Sequence, residues 1–115
     1  MSEEYRYVLG TFEGKKHLLF CRVTPDFNQP DEFVVNVSYR TYDFMDEDFK
    51  NIQIVRIDNK GKPLHLDELW KEGKPKRFLN WRGSKRELFY RALEKIQEDW
   101  KRYAKKWKKN KGYKS

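Results

Sequence analysis

The last third of the chain carries an apolar stripe that predicts one long amphipathic helix. Ser84 and Glu87 form a capping box, in which the serine oxygen accepts a backbone N–H and the glutamate reaches back. Beyond it, apolar residues recur at the three- and four-residue intervals of one helix face: Leu88, Phe89, Ala92, Leu93, Ile96, Trp100, Tyr103, Ala104 and Trp107. We therefore expect a helix over residues 84–109, one face of which must be covered by other elements.

The first half of the chain has the pattern of β-strands. Residues 33–40 alternate between apolar and polar side chains, as in a half-buried strand. Three further strands are predicted over 5–12, 16–24 and 49–57, and residues 77–81 suit a short fifth strand. Prolines 25 and 30 predict a loop before the third strand, and residues 66–71 suggest a helical turn.

These elements predict an α+β fold, with a four- to five-stranded antiparallel sheet and one long amphipathic C-terminal helix packed on one face. A chain of 115 residues has room for one domain. We place that domain at 1–109, with the strands in 1–82 and the helix in 84–109, and assign 110–115 to a basic flexible tail. The longest apolar run, Leu18 to Cys21, is too short to cross a bilayer.

One cysteine and the start of the chain bear on the compartment. Cys21 is the single cysteine, so no internal disulfide can form, and its surroundings suggest a buried thiol. The first residues lack the basic and apolar segments of a signal peptide. We expect a cytoplasmic protein, and its many Lys and Glu residues with few Gln are typical of a thermophilic source.

The formal net charge of +8 is distributed unevenly along the chain. Residues 1–70 contain 9 basic and 13 acidic residues, whereas residues 71–115 contain 17 basic and 5 acidic ones. The halves therefore carry −4 and +12. Such asymmetry indicates contact with a polyanion through the C-terminal half. The alternative is a solvated lysine-rich surface that only maintains solubility.

The predicted phosphate-binding groups are basic residues, all but one of them in this half. Both ends of the helix are positive, and the favourable interaction of cations with the helix dipole extends over only the last turn. The predicted set is Lys62, Lys74, Lys76, Arg77, Arg82, Lys85, Arg86, Lys101, Arg102, Lys105, Lys106, Lys108 and Lys109. No recognised DNA-reading motif accompanies them, so we predict phosphate contacts without base-specific reading.

Two aromatic residues beside these cations are candidates for base stacking. Trp81 and Phe78 lie in a predicted loop or edge strand among basic residues, and exposed rings in such settings stack unpaired bases. The alternative for both is packing against the core. Trp100, Tyr103 and Trp107 also alternate with lysines, but their spacing matches the apolar stripe and predicts core positions.

His65 is the candidate catalytic residue. It follows a turn and precedes carboxylates at 67 and 68, and an imidazole takes or gives a proton near neutral pH. Lys62, Lys74 and Arg77 could stabilise the charge of a pentavalent phosphate during RNA cleavage. The alternative is an exposed loop histidine without a role. His17 is placed at a strand start as a structural residue.

The segment around His65 resembles a known family. Residues 55–59, with the sequence Val-Arg-Ile-Asp-Asn, then Gly61-Lys62-Pro63 and His65, resemble the small TumE-type toxins of prokaryotic toxin–antitoxin systems, over roughly residues 54–96. The resemblance implies a cytoplasmic antitoxin partner and an RNA-directed or nucleotidyl-transfer-related activity.

The function predicted is a small basic nucleic-acid-binding protein, directed at RNA, which as a toxin-like component would cleave RNA without a metal. One alternative is a non-catalytic nucleic-acid-binding accessory protein, and another is an adaptor that docks its basic helix on an acidic, antitoxin-like protein. One Cys and two His in separate elements do not suit a zinc site, and no Walker motif is present. We therefore predict no metal and no cofactor, and RNA or DNA as the partner.

Overall fold

A computed structural model describes residues 1–61, 63–73 and 76–113 of the chain. It contains six strands followed by one long helix. Their bounds, in chain order, are β1 (Glu3–Phe12), β2 (Lys15–Asp26), β3 (Gln29–Asp43), β4 (Asp48–Asp58), β5 (His65–Glu68), β6 (Lys76–Phe78) and α1 (Lys85–Asn110).

The strands form one sheet in the order β1-β2-β3-β4-β5-β6, and every neighbouring pair is antiparallel. This confirms the α+β meander with a C-terminal helix, but the described residues form six strands where four to five were predicted. The prediction of a helical turn over 66–71 was wrong for residues 66–68, which belong to β5. Leu66 instead pairs with Ile57 of β4, so the ladder takes up the backbone groups that a helical turn would use.

The loop predicted around Pro25 and Pro30 is a tight hairpin between longer strands. Pro25 lies opposite Pro30, and a register shift after Thr24 admits these residues, which have no N–H to donate to the ladder. The Asp26 carboxylate closes the turn by accepting the backbone N–H groups of Asn28 and Gln29, at 2.9 and 2.8 Å. β2 and β3 therefore continue through positions that their sequence marks as breaks.

Helix α1 begins as predicted. Ser84 Oγ accepts the Glu87 backbone N–H at 3.1 Å, and Glu87 Oε1 accepts the Ser84 N–H at 3.1 Å. The Ser84 backbone N–H holds the pKa of the Glu87 carboxyl below its usual value. The reciprocal pair confirms the capping box.

One face of the sheet is covered by α1, and the core lies between them. Alternate residues of the central strands are fully buried there, including Leu19, Val35, Val37 and Ile57. At the β1 edge, a Cβ added at Gly10 would lie 2.9 Å from Trp100 Cζ2, so only glycine allows the helix this close. The opposite face of the sheet carries no helix and is called the open face below.

The residues after the helix fold back onto the core. Tyr113 Oη lies 2.9 Å from His17 Nε2, and the Tyr113 ring packs edge-on against Tyr39 with centroids 4.7 Å apart. Trp107 Nε1 donates to the Gly112 carbonyl at 3.1 Å. Positions 110–113 of the predicted tail are thus held by side-chain contacts, and positions 114 and 115 lie outside the described residues.

Two further expectations concern Cys21 and the membrane. Cys21 is 1% exposed, and burial raises the pKa of its thiol to about 11, which confirms a buried structural thiol. Within the described ranges, no helix combines the length and apolar character required to cross a bilayer.

Candidate nucleic-acid interface

The last turns of α1 present a surface made of basic side chains. The core face of this segment consists of Trp100, Tyr103, Ala104 and Trp107, and every basic residue lies off it and is exposed. Residues three and four apart are neighbours on a helix, so these side chains form two adjacent rows. We call them the helix-end cations: Lys101, Lys105 and Lys108 in one row, and Arg102, Lys106 and Lys109 in the other.

Few acidic groups neutralise this surface. Asp99 is the last acidic residue of the chain. Arg102 contacts Asp99 at 2.9 Å, and Lys108 contacts Glu13 of the β1–β2 turn at 2.7 Å. The other four helix-end cations form no ion pair within the described ranges. Like charges four residues apart oppose helix formation, so folding alone does not account for this arrangement.

A second basic group lies at the N-terminal end of α1. Arg82, Lys85 and Arg86, three of the predicted phosphate-binding residues, are exposed there. The predicted stacking residue Trp81 is half-buried, and the Arg91 guanidinium lies 4.3 Å from its ring centroid. Arg91 therefore already contacts the ring that would stack a base.

His65 lies in β5 within a cluster of ions on the open face. Its cross-strand neighbour is Asp58, and the neighbour of Asp67 is Arg56, so all four side chains share one face. Lys76 is the cross-strand neighbour of Asp67 in β6, the strand that pairs with the other edge of β5. We call Arg56, Asp58, His65, Asp67 and Lys76 the sheet-face ion cluster.

Charges within the sheet-face ion cluster are closely matched. Arg56 Nη2 lies 2.9 Å from Asp67 Oδ2, and Lys76 Nζ lies 3.4 Å from Asp67 Oδ1. Arg56 Nε is also 3.4 Å from Asp58 Oδ2. Two cations thus face two carboxylates. The Asp67 side chain is only 3% exposed, and burying a carboxylate is costly unless cations contact it, as Arg56 and Lys76 do here.

Both ring nitrogens of His65 have neighbours. Nδ1 lies 3.0 Å from the Pro63 carbonyl oxygen, and Nε2 lies 3.6 Å from an oxygen of both Asp58 and Asp67. Lys76 Nζ is 3.4 Å from Nε2. His65 is 2% exposed, in contrast to the exposed loop position that was the alternative to catalysis.

Asp58, His65 and Asp67 also place one donor atom each within 4.8 Å of one another, as metal ligands would be. The prediction of no metal considered only Cys and His and missed this group. Arg56 and Lys76 already contact the same carboxylates, so a divalent ion would have to displace protein cations. The residues therefore suit an internal ion network better than a metal centre.

The predicted cations around His65 are divided between the two faces of the sheet. Lys76 joins the sheet-face ion cluster, but Arg77, the next residue in β6, points to the other face, with Nε 3.9 Å from Glu68 Oε1. Phe78 is 54% exposed beside His65, with ring centroids 6.3 Å apart, and stays a candidate for base stacking. Lys62 and Lys74 lie outside the described residues.

The helix-end cations and the sheet-face ion cluster lie at opposite ends of the sheet. Trp107 packs against Tyr39 of β3, whereas Phe89, near the helix start, packs against Phe33. Phe33 lies at the cluster end, because its backbone N–H donates to Asn59 Oδ1 at 2.8 Å. Phe33 and Tyr39 are six positions apart along β3, which corresponds to about 20 Å. His65 and the helix end therefore do not form one site.

Sequence reasoning named the carboxylate at position 67 beside His65 but missed Arg56 and Asp58 as partners. Arg56 and Asp58 are two residues apart in a strand, as are His65 and Asp67, and this spacing places each pair on one face. Recognition of a hairpin around residue 61 would have brought the two pairs together.

Comparison with known proteins places the chain in a family without an assigned activity. No curated protein and no solved structure is found to match it. Nothing in these comparisons bears on the resemblance to TumE-type toxins, which stays a prediction. A family model described as "Domain of unknown function (DUF7718)" matches residues 2–113, and the chain belongs to that family.

Proposed function

We propose that this protein binds RNA through the phosphate backbone, using the helix-end cations. The observation that carries the proposal is an exposed helical surface of six cations, beyond which the chain has no acidic residue. Such a surface neutralises phosphates without reading bases. The exposed Phe78 and the resemblance to RNA-directed toxins favour RNA over DNA.

Binding without cleavage is the function that the geometry supports best. His65 is buried among Asp58, Asp67 and Lys76, whereas a general base must reach the proton that it abstracts. The ribonuclease activity predicted for His65 stays a prediction. Docking on an acidic, antitoxin-like protein would use the same helix-end cations and is an outcome of the experiment below.

The test measures how RNA affinity depends on salt. Anisotropy of a labelled single-stranded RNA, titrated between about 50 and 200 mM salt, should give a log–log slope of about −0.7 per phosphate neutralised. We expect the Lys101→Gln, Lys105→Gln, Lys106→Gln, Lys109→Gln variant to reduce that slope by about 3 units, because four phosphate contacts are removed. A denaturing gel of the same samples should show intact RNA.

The matched control removes the same charge elsewhere, through Lys16→Gln, Lys50→Gln, Lys60→Gln and Lys71→Gln, all exposed positions. This control variant should retain most of the salt dependence of RNA affinity. An equal loss in the control, or a slope near zero in the unmodified protein, contradicts the proposal. Equal slopes for single-stranded DNA would extend it to both nucleic acids. Binding to an acidic polypeptide but not to RNA would identify an adaptor instead.

A further inference from the structure

The open face contains a polar pocket in the middle of the sheet. Its volume is about 160 Å³, and it lies over β2, β3 and β4 with Arg6 of β1 at its margin. Three amide side chains and one hydroxyl line it, together with Phe20: Asn36, Asn51, Gln53 and Ser38. Nothing in its lining belongs to the helix-end cations or to the sheet-face ion cluster.

Two polar side chains in the pocket are buried and lack protein partners. Asn36 and Ser38 are each 5% exposed, although they lie in the middle of β3. Neither side chain forms a hydrogen bond with another protein group in the part of the chain that the structure describes. The polar atoms of Asn36 and Ser38 remain accessible through the pocket, because among the described residues the buried side-chain polar atom without a partner is Tyr103 Oη. A bound ligand with donors and acceptors would supply the hydrogen bonds that such accessible polar groups otherwise make with solvent.

The chemistry of the lining matches the edge and face of a nucleobase. An amide carries both a donor and an acceptor, and Asn and Gln pair with base edges through two hydrogen bonds. Phe20 supplies an aromatic surface on which a base can stack once it displaces a guanidinium group that lies over the ring, as would also be required at Trp81. The guanidinium groups of Arg6 and Arg22 lie 5.1 and 5.7 Å from the Phe20 ring centroid.

The cations beside Phe20 differ in how they are engaged. Arg22 donates to Glu4 Oε2 from both Nε, at 2.8 Å, and Nη2, at 2.5 Å. Arg6 lies 4.0 Å from Glu4 Oε1, and its side chain is 70% exposed. Arg6 is therefore the cation available to a phosphate attached to a base in the pocket.

We propose that this pocket binds one unpaired nucleobase, with Asn36, Asn51 and Gln53 pairing with its edge and Phe20 stacking on it. The base can belong to a free nucleoside or to a single strand of RNA. The proposal does not rest on the helix-end cations, which lie on the other face of the sheet.

Side-chain amide resonances in a ¹⁵N-correlated spectrum report directly on the pocket. The probes are the four ribonucleosides, up to about 10 mM, and short single-stranded homopolymeric RNAs. We expect the NH₂ signals of Asn36, Asn51 and Gln53 to shift in a saturable way with at least one probe. Shifts with nucleosides identify a free nucleoside as sufficient, and shifts with RNA alone identify a base held within a strand. No shift with any probe overturns the proposal.

Two variants and one control locate the binding. Asn36→Ala should weaken binding by about tenfold or more, because it removes one amide pairing. Ser38→Val should block the pocket while keeping a residue that suits a strand. Asn28→Ala, in the exposed β2–β3 turn, should leave affinity unchanged. Each spectrum shows whether the variant is folded. Folded Asn36→Ala and Ser38→Val proteins with unchanged affinity would overturn the proposal, whatever the lysine variant does to RNA binding.

Discussion

The sheet-face ion cluster and the helix-end cations both contain basic side chains, yet they use these charges differently. In the cluster, Arg56 and Lys76 each contact the buried carboxylate of Asp67. At the helix end, the described contacts engage only Arg102 and Lys108 with carboxylates. Charge that is matched within the fold stabilises the fold, and charge left unmatched on the surface is available to a partner. Pairing, more than net charge, therefore distinguishes a structural region from a binding surface.

The largest expected effect comes from removing the central carboxylate of the cluster. Asp67→Ala should lower the free energy of unfolding by about 3 kcal/mol, near the lower end of the cost of breaking a buried ion pair. The lower end applies because the side chains of Arg56 and Lys76 are 35% and 37% exposed, so both can turn towards water. Urea unfolding followed by circular dichroism measures this change.

Asp99→Ala is the matched control for that comparison. Asp99 also contacts two cations, Lys95 at 3.0 Å and Arg102 at 2.9 Å, but its side chain is 27% exposed on the surface of α1. Its removal should cost at most about 1 kcal/mol. Equal losses for the two variants would show that the sheet-face ion cluster contributes no more to stability than a surface pair does.

The two histidines extend the comparison to pH, since His65 lies in the cluster and His17 lies beneath the helix end. Burial lowers the pKa of the His17 imidazole from its ordinary value of 6.5, and only its contact with the Lys15 carbonyl oxygen opposes this. The folded state thus prefers neutral His17, while the unfolded chain takes up a proton below about pH 6.5. The contribution of His17 to the free energy of unfolding is fully present above that pH, and it is lost as the pH falls towards the lowered pKa.

His17→Gln isolates this effect from other titrating groups. One proton changes the free energy of unfolding by at most about 1.4 kcal/mol per pH unit. Urea midpoints at about pH 7.5, 6.5 and 5.5 should therefore fall less steeply in the variant than in the unmodified protein. Parallel pH dependence in the two proteins would mean that the proton taken up on unfolding belongs to another group.

The parts of the fold that sequence predicts well have strong local patterns. The stripe from Leu88 to Trp107 and the capping box at Ser84 placed α1 within one residue of its bounds. Strong alternation likewise located β3. β5 and β6 have only four and three residues; β5 pairs with the edge of β4, and β6 pairs with β5 in turn. Such short strands depend on tertiary contacts and leave little periodicity in the sequence.

The candidate sites were harder to predict because distance along the chain differs from distance in the fold. Lys76 and Arg77 are consecutive, but β6 turns their side chains to opposite faces of the sheet. Tyr113, in a predicted flexible tail, reaches His17 across 96 positions of sequence. The pocket on the open face is lined by Asn36 together with residues of three other strands, and only the register of the sheet brings them together.

The smallest expected effect separates folding from binding at the helix end. Lys101→Gln, Lys105→Gln, Lys106→Gln and Lys109→Gln remove like-charge pairs four residues apart, each of which costs about 0.2–0.5 kcal/mol. At low salt, the free energy of unfolding of the fourfold variant should be equal to that of the unmodified protein or higher by a few tenths of a kcal/mol. At high salt this gain should vanish, because screening weakens the repulsion. Thermal unfolding at both salt concentrations measures this, with Lys16→Gln, Lys50→Gln, Lys60→Gln, Lys71→Gln as the control of equal charge. A loss of more than 1 kcal/mol in the helix-end variant alone would mean that these lysines support the fold, and the contrast with the sheet-face ion cluster would no longer hold.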